Sequence, residues 1–416
     1  MSEPLPNLAV NLRALPRPVW ILVIGTFINR FGTFVVPFLL LYLSDEGFSM
    51  VHAGFVLSSY GVGNLVAAWF GGYFTDRFGR RNTTVLSMFS SALVMVCIPW
   101  AVSELSVAQV SEVVRLASVM ALTALAGMTA ELYRPASNAL LTDLVPKENR
   151  VTAFAVYRLA INAGWAFGPA AAGLLAKYSF VYLFLGDAIT STAYGIVAIY
   201  FLPHGKRSKT PELARWGPAF KVILRDRKFL LYACASLGIG FSYFQTHSTL
   251  ALHVRDAGLS VAVYGLLHSL NGLIVILFEL PLSPWTQKRP PRRMMGMGFA
   301  LVGVGFGLTA WAHDFRMLAV TVAIWSIGEI ISFPVGGAYV ANLAPDDMRG
   351  RYMGFMGFIW SAGMILGPTL GTFIYSRSPV ALWLTCGAAG LFAAFVISIC
   401  PNEGASDSDA SASEKS

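Results

Sequence analysis

Nine ionisable side chains interrupt long apolar runs of this sequence: Arg30, Glu131, Arg134, Arg158, Asp187, His247, His268, Glu279 and Glu329. A charge at the centre of a helix in hydrocarbon costs about 2.5–3.5 kcal/mol, so such groups face a cavity or a partner. Glu329 stands in Gly328-Glu329-Ile330-Ile331-Ser332-Phe333-Pro334 without a neighbouring base. A carboxyl group held away from water there can load and release protons; an acid bonded to a carbonyl is the plainer reading. Arg30, in Asn29-Arg30-Phe31-Gly32, stays charged at any accessible pH and attracts an anionic group or a carboxylate such as Glu131. Glu131 and Arg134 lie three apart on one helix face, and Arg158 is expected at similar depth in the next run. Exchange of Glu131 between a proton and an arginine would couple two binding events, and a static ion pair fits the spacing equally well. Asn138 and Asn162 read as polar packing near this region. Glu279 reads as structural, and His247 and His268 as satisfied or water-facing, although imidazoles there can also relay protons. Trp165, Tyr243, Phe244, Trp325, Phe333 and Trp360 can line an apolar pocket or sit at an interface.

The elements holding these residues are set by composition. Of 416 residues 56% are hydrophobic and 12% charged, against about 25% charged in soluble domains. A hydrocarbon core of about 30 Å needs about 20 apolar residues in a helix. Runs of that length lie near 18–43, 52–74, 82–102, 113–142, 150–176 and 179–202, and again near 229–253, 261–285, 294–312, 316–344, 350–376 and 379–400. The reading is an all-α membrane protein with twelve transmembrane helices in two six-helix bundles, 18–202 and 229–400. Residues 1–17 form an N-terminal segment, 203–228 a basic linker, and 401–416 a low-complexity tail expected to be disordered. With both termini in the cytoplasm, inside segments carry 22 Lys or Arg and outside loops five. The positive-inside rule therefore places both termini inside a multi-pass protein of the inner, or plasma, membrane.

Topology also accounts for the net charge of +8, and without aromatic interleaving no nucleic-acid partner is expected. Cys97, Cys234, Cys386 and Cys400 lack metal-ligand spacing and read as small packing residues. The N-terminus shows no cleavable signal pattern, so the first run is expected to persist. Pro135, Pro146, Arg150, Gly164, Gly168 and Pro169 recur 199 residues later as Pro334, Pro345, Arg349, Gly363, Gly367 and Pro368. Such a duplication places a solute site between two facing bundles near mid-membrane.

Between the second and third runs lies Gly72-Tyr73-Phe74-Thr75-Asp76-Arg77-Phe78-Gly79-Arg80-Arg81. Gly72 permits close helix approach, Asp76 can sit against a helix N-terminus of the other half, and the arginines can pair across a gate. This segment resembles the signature loop of the major facilitator superfamily. The corresponding stretch from Trp285 to Arg293 keeps the basic residues but lacks the acid. Gly164, Gly168, Pro169 and Gly173 resemble the glycine-proline motif of the superfamily's drug:proton antiporters, with Ala172 in place of one glycine. Residues spaced this way let backbones touch, while Pro169 frees a carbonyl and makes a hinge. The surroundings of Glu329 and Arg30 resemble the proton-coupled oligopeptide transporters, but Thr26 and Asn29 stand where that family has glutamates. The resemblance places Asp187 toward the outside of its bundle.

The expectation is a secondary active transporter, not an enzyme, exporting amphipathic or drug-like small-molecule solutes in exchange for protons by alternating access. Glu329, Arg30, Glu131, Arg134, Arg158 and Asn29 are its candidate proton-coupling or solute-binding residues. The alternatives are a proton-coupled importer of peptides or another nutrient, and a membrane receptor or assembly partner that has lost transport. No phosphate loop, metal cluster or catalytic triad is visible, so no cofactor is expected beyond the proton gradient, and the chain is expected to be monomeric.

Overall fold

The computed structural model describes residues 12–108, 110–146, 149–205, 217–345 and 348–399. The tail from 401, much of the linker and the first eleven residues, for which disorder or a cytoplasmic position is expected, lie outside the described residues. Among the described residues the chain is helical throughout, without strands.

The first half consists of α1 (Arg17–Phe31), α2 (Val35–Asp45), α3 (Met50–Phe78), α4 (Arg80–Val107), α5 (Glu112–Glu131), α6 (Tyr133–Leu144), α7 (Arg150–Ala176) and α8 (Val181–Phe201). A short α9 (Gly217–Ile223) leads to the second half: α10 (Arg227–Tyr243), α11 (Thr249–Asp256), α12 (Val261–Gln287), α13 (Pro291–Leu308), α14 (Phe315–Leu343), α15 (Arg349–Tyr375) and α16 (Pro379–Ile399). Among the described residues eleven helical stretches are long and apolar enough to cross a membrane, with α1–α2 and α5–α6 each counting as one. Their outer surfaces carry exposed Leu93, Ile189, Leu280 and Phe395, side chains suited to lipid rather than water.

The run at 229–253, expected as one span, consists of two helices, α10 and α11, joined by a 3-10 turn at Phe244–His247. The cause is local polarity. The Gln245 amide donates to the carbonyls of Phe241 and Gly367, and the hydroxyls of Ser248 and Thr249 donate to its oxygen, at 2.8–3.2 Å. These bonds satisfy backbone that an unbroken helix would pair internally, which permits irregular structure at membrane depth.

The repeat is visible in individual hydrogen bonds. Arg150 Nη2 donates to the Thr142 carbonyl at 3.2 Å, and Arg349 Nε donates to the Ala341 carbonyl at 3.2 Å, eight residues back in each case. In each half the same glycine pair seats a neighbouring helix. A Cβ on Gly164 or Gly168 would lie 2.5 Å from Arg30 Cβ or the Phe31 carbonyl of α1. One on Gly363 or Gly367 would lie 3.1 Å from Gly240 or 2.9 Å from Phe244 Cβ.

The halves meet at the end remote from the basic loops. There Ser58 of α3 donates to the Ile365 carbonyl of α15 at 2.7 Å, and a Cβ on Gly54 would lie 2.2 Å from Thr372 Oγ1. Beside them Gly173 of α7 packs on Ala262 and Gly265 of α12, and the Tyr264 hydroxyl lies 2.8 Å from the Pro37 carbonyl of α2. Toward the basic face α3 and α15 leave open space, since a Cβ on Gly72 or Gly357 would meet nothing within 4 Å, whereas α7 and α12 stay in contact through Gly272 on Ala166 and the Arg158–Glu279 ion pair.

Candidate functional site

A cavity of about 420 Å³ lies between the halves. The first half contributes Arg134, Asn162 and Trp165; the second contributes Tyr243, Phe244, His247, His268, Asn271, Gly272, Val275 and Glu329. Glu329 is carried by the middle of α14, and its carboxylate accepts from Asn271 Nδ2 of α12 at 2.9 Å. The same amide reaches Ser326 Oγ at 3.0 Å. Glu329 thus has a neutral amide partner inside a chamber, where a second charge or a proton can be accommodated. An aromatic wall adjoins it: Tyr243 lies 5.8 Å from Phe333 and 6.0 Å from Trp360, ring centre to ring centre. Asn162, read from sequence as polar packing, borders the same chamber.

Arg30, Glu131 and Arg134 come together in the first half. Arg30 Nη2 donates to Glu131 Oε1 at 2.9 Å, and Arg134 Nη1 donates to Oε2 at 3.0 Å. The Arg30 guanidinium also lies 5.4 Å from the Tyr133 ring centre. Side-chain exposure separates their roles, with Arg30 at 8%, Glu131 at 14% and Arg134 at 60%. Arg134 meets the cavity, whereas Arg30 is enclosed within the first bundle. Of the two sequence-level options for Arg30, the partner is the carboxylate of Glu131.

Several expectations are corrected by geometry. Arg158 does not join Glu131; it pairs with Glu279 of α12, across the two halves. Helix rotation turns Arg158 toward α12, so depth alone misassigned it, and Glu279 becomes a contact between bundles. Asn29 is buried away from the cavity, its Nδ2 reaching Ser191 Oγ at 3.4 Å. Asp187 is not at the outside of its bundle but 5% exposed, where it accepts from Ser191. Gly72 makes no close approach; its neighbour Gly71 does, with a built Cβ 2.9 Å from Pro135 Cγ. Among the described residues Asp76 forms no ion pair, and Arg80 pairs with Asp143 of the same half rather than across a gate. Arg77 donates to the Tyr73 hydroxyl at 2.8 Å. Gly79 serves the turn itself, with φ of 86° at the end of α3. Cys234 is exposed rather than packed, whereas Cys386 is buried.

In the glycine-proline motif, Gly164 and Gly168 seat α1 while Gly173 seats α12 of the other half. Pro169 lies inside a continuous α7, and the next amide, Ala170 N–H, donates to Ser269 Oγ of α12 at 3.1 Å. The motif therefore joins the two bundles where backbone bonding is loosened.

Sequence reasoning missed one cavity residue, and it read two others as satisfied or water-facing, which their contacts fit. His247 and His268 stack with ring centres 5.1 Å apart on the cavity wall, and His268 Nε2 lies 3.0 Å from the Tyr264 hydroxyl. Asn271, the partner of Glu329, escaped notice altogether. Its signal was present as a lone amide in the apolar run Leu266–Phe278.

Two helical bundles with apolar exteriors, enclosing a chamber that holds a carboxylate, an arginine and two histidines, define a multi-pass membrane transporter. The chain belongs to the Major Facilitator Superfamily, whose family model matches residues 22–257 and 247–415. It is 27% identical over 82% of its length to a Na(+), Li(+), K(+)/H(+) antiporter of Planococcus maritimus, covering 85% of that protein. It is 26% identical to the multidrug resistance protein MdtH of Klebsiella pneumoniae (strain 342), over 89% of this chain and 91% of that one. Its fold matches a crystal structure of a POT family transporter bound to a thioalcohol-conjugated peptide, with a TM-score of 0.74, 16% identity and coverage of 94% and 98% of the two chains.

Proposed function

We propose that this transporter is a proton-coupled antiporter that exports small amphipathic solutes across the inner membrane, with both termini cytoplasmic. The observation that carries the reading is Glu329: it borders the chamber between the halves and is held by an amide rather than a cation. Glu131, by contrast, is engaged by two arginines. Competition between a proton and a cationic, ring-bearing solute for one carboxylate yields exchange, because each must leave before the other binds. The aromatic wall suits the apolar part of such a solute. An antiporter and a multidrug resistance protein among the relatives support the same direction.

The packing supports alternating access. α3 and α15 touch at the end remote from the basic face and leave space toward it, which supports a chamber facing the cytoplasm under the proposed topology. The enclosure of Arg30 by Glu131 and Tyr133 weighs against an importer that anchors a peptide carboxylate on that arginine.

The test uses proteoliposomes with an imposed pH gradient and a lipophilic cation, tetraphenylphosphonium, as probe. Wild-type protein is expected to move the probe against the proton flux, and Glu329→Gln to lose gradient-driven movement while remaining monodisperse in detergent. Unaltered gradient-driven flux in Glu329→Gln would remove this carboxylate from the mechanism.

A further inference from the structure

The basic stretch between α12 and α13 has no part in the cavity, yet it borders a groove of about 770 Å³. Pro290, Arg292, Arg293 and Gly296 form one wall, and Ala394 and Ser398 near the end of α16 form the other. Arg292 ties the walls together, with Nε donating to the Ile397 carbonyl at 3.3 Å and Nη2 to the Ser398 carbonyl. Arg289 lies outside this tie, its guanidinium 4.3 Å from the Trp285 ring centre. Among the described residues no carboxylate pairs with Lys288, Arg289 or Arg293. The groove is kept open by Gly296, where an added Cβ would have the Ala394 carbonyl at 3.7 Å as its one neighbour. Next in depth come exposed Met297 and Val304 of α13 and Leu391 and Phe395 of α16, an apolar surface continuous with the bilayer.

Positive charge at a membrane face needs no groove, and a groove facing lipid needs no cations; here Arg292 and Arg293 line the groove, and Lys288 and Arg289 precede them in the chain. Their coincidence, beside a Trp of the interfacial type and above an apolar surface, matches an anionic headgroup with its attached chains. We propose that this groove binds the phosphate of an anionic phospholipid such as phosphatidylglycerol, with Arg289 and Arg293 on the headgroup and the acyl chains along α13 and α16. The site is separate from the solute chamber and does not depend on the antiport reading.

Native mass spectrometry of the full chain in detergent, titrated with phosphatidylglycerol or phosphatidylcholine, tests this. Wild type is expected to retain phosphatidylglycerol preferentially, and the double variant Arg289→Gln/Arg293→Gln to bind it about thirtyfold more weakly, the effect of two surface cations. Gly296→Leu, which fills the groove and keeps every charge, is expected to lose the same adducts. Equal phosphatidylglycerol binding in all three proteins overturns the proposal. So does thermal stabilisation by inorganic phosphate equal to that by the lipid, which marks a free-anion site. Stronger binding after removal of residues 402–416, with no loss in the two variants, also overturns it, since that tail, with Glu403, Asp407, Asp409 and Glu414 against a single Lys415, rather than the groove would then govern lipid access.

Discussion

At the scale of single residues, the first bundle is organised around one carboxylate shared by two arginines. Removing one partner of a buried ion pair leaves an uncompensated charge and costs about 3–5 kcal/mol. Glu131→Gln is therefore expected to lower the melting temperature in detergent markedly, because Arg30 at 8% exposure cannot recruit water. The double variant Arg30→Met/Glu131→Leu should recover a large part of that loss; a double variant as unstable as the single one would contradict the pairing. The sequence announced that these charges needed partners, since hydrocarbon tolerates no stray ions. It did not say which partners, because that depends on helix rotation. Arg158 shows the difference: it was expected at the depth of Glu131, and its direction leads to Glu279. Asn271 was hidden for the opposite reason, as a neutral amide raises no alarm in an apolar run.

At the scale of elements, close approach is governed by which glycine faces a neighbour. Gly71 and Gly72 are adjacent in α3, yet a side chain on Gly71 would strike Pro135 and one on Gly72 would meet open space. Gly71→Leu is expected to destabilise by about 1–3 kcal/mol through overpacking, whereas Gly72→Leu should leave the melting temperature unchanged or raised. Thermal shift of the two purified variants checks this, and equal losses would place the helix at a different rotation. Hydropathy made the lengths of most helices legible, because membrane thickness sets them. It could not show the interruption at 244–248, where Gln245 and the following hydroxyls replace backbone partners through bonds to distant Gly367. That replacement is a tertiary event, and it places His247 on the cavity wall.

At the scale of the whole molecule, two bundles related by a 199-residue repeat touch through α3 and α15 at one end and leave space between these helices at the other, while α7 and α12 stay paired. The duplication and the charge bias were legible along the chain; the state of closure was not, since both states of a rocking pair share one sequence. Ser58 Oγ and Thr369 Oγ1 face each other at 2.7 Å across the closed end. The pair Ser58→Cys/Thr369→Cys is expected to cross-link under mild oxidation and stop transport, with reduction restoring it; transport unaffected by a formed cross-link would mean that this end never opens. The account's central claim is that solute and proton compete for Glu329 in the chamber between the halves. Its most direct test is proton release on solute binding, read with a pH indicator in weakly buffered detergent solution. Wild-type protein should release protons when tetraphenylphosphonium is added, and Glu329→Gln should bind the probe without release; the same release from both proteins would contradict the account.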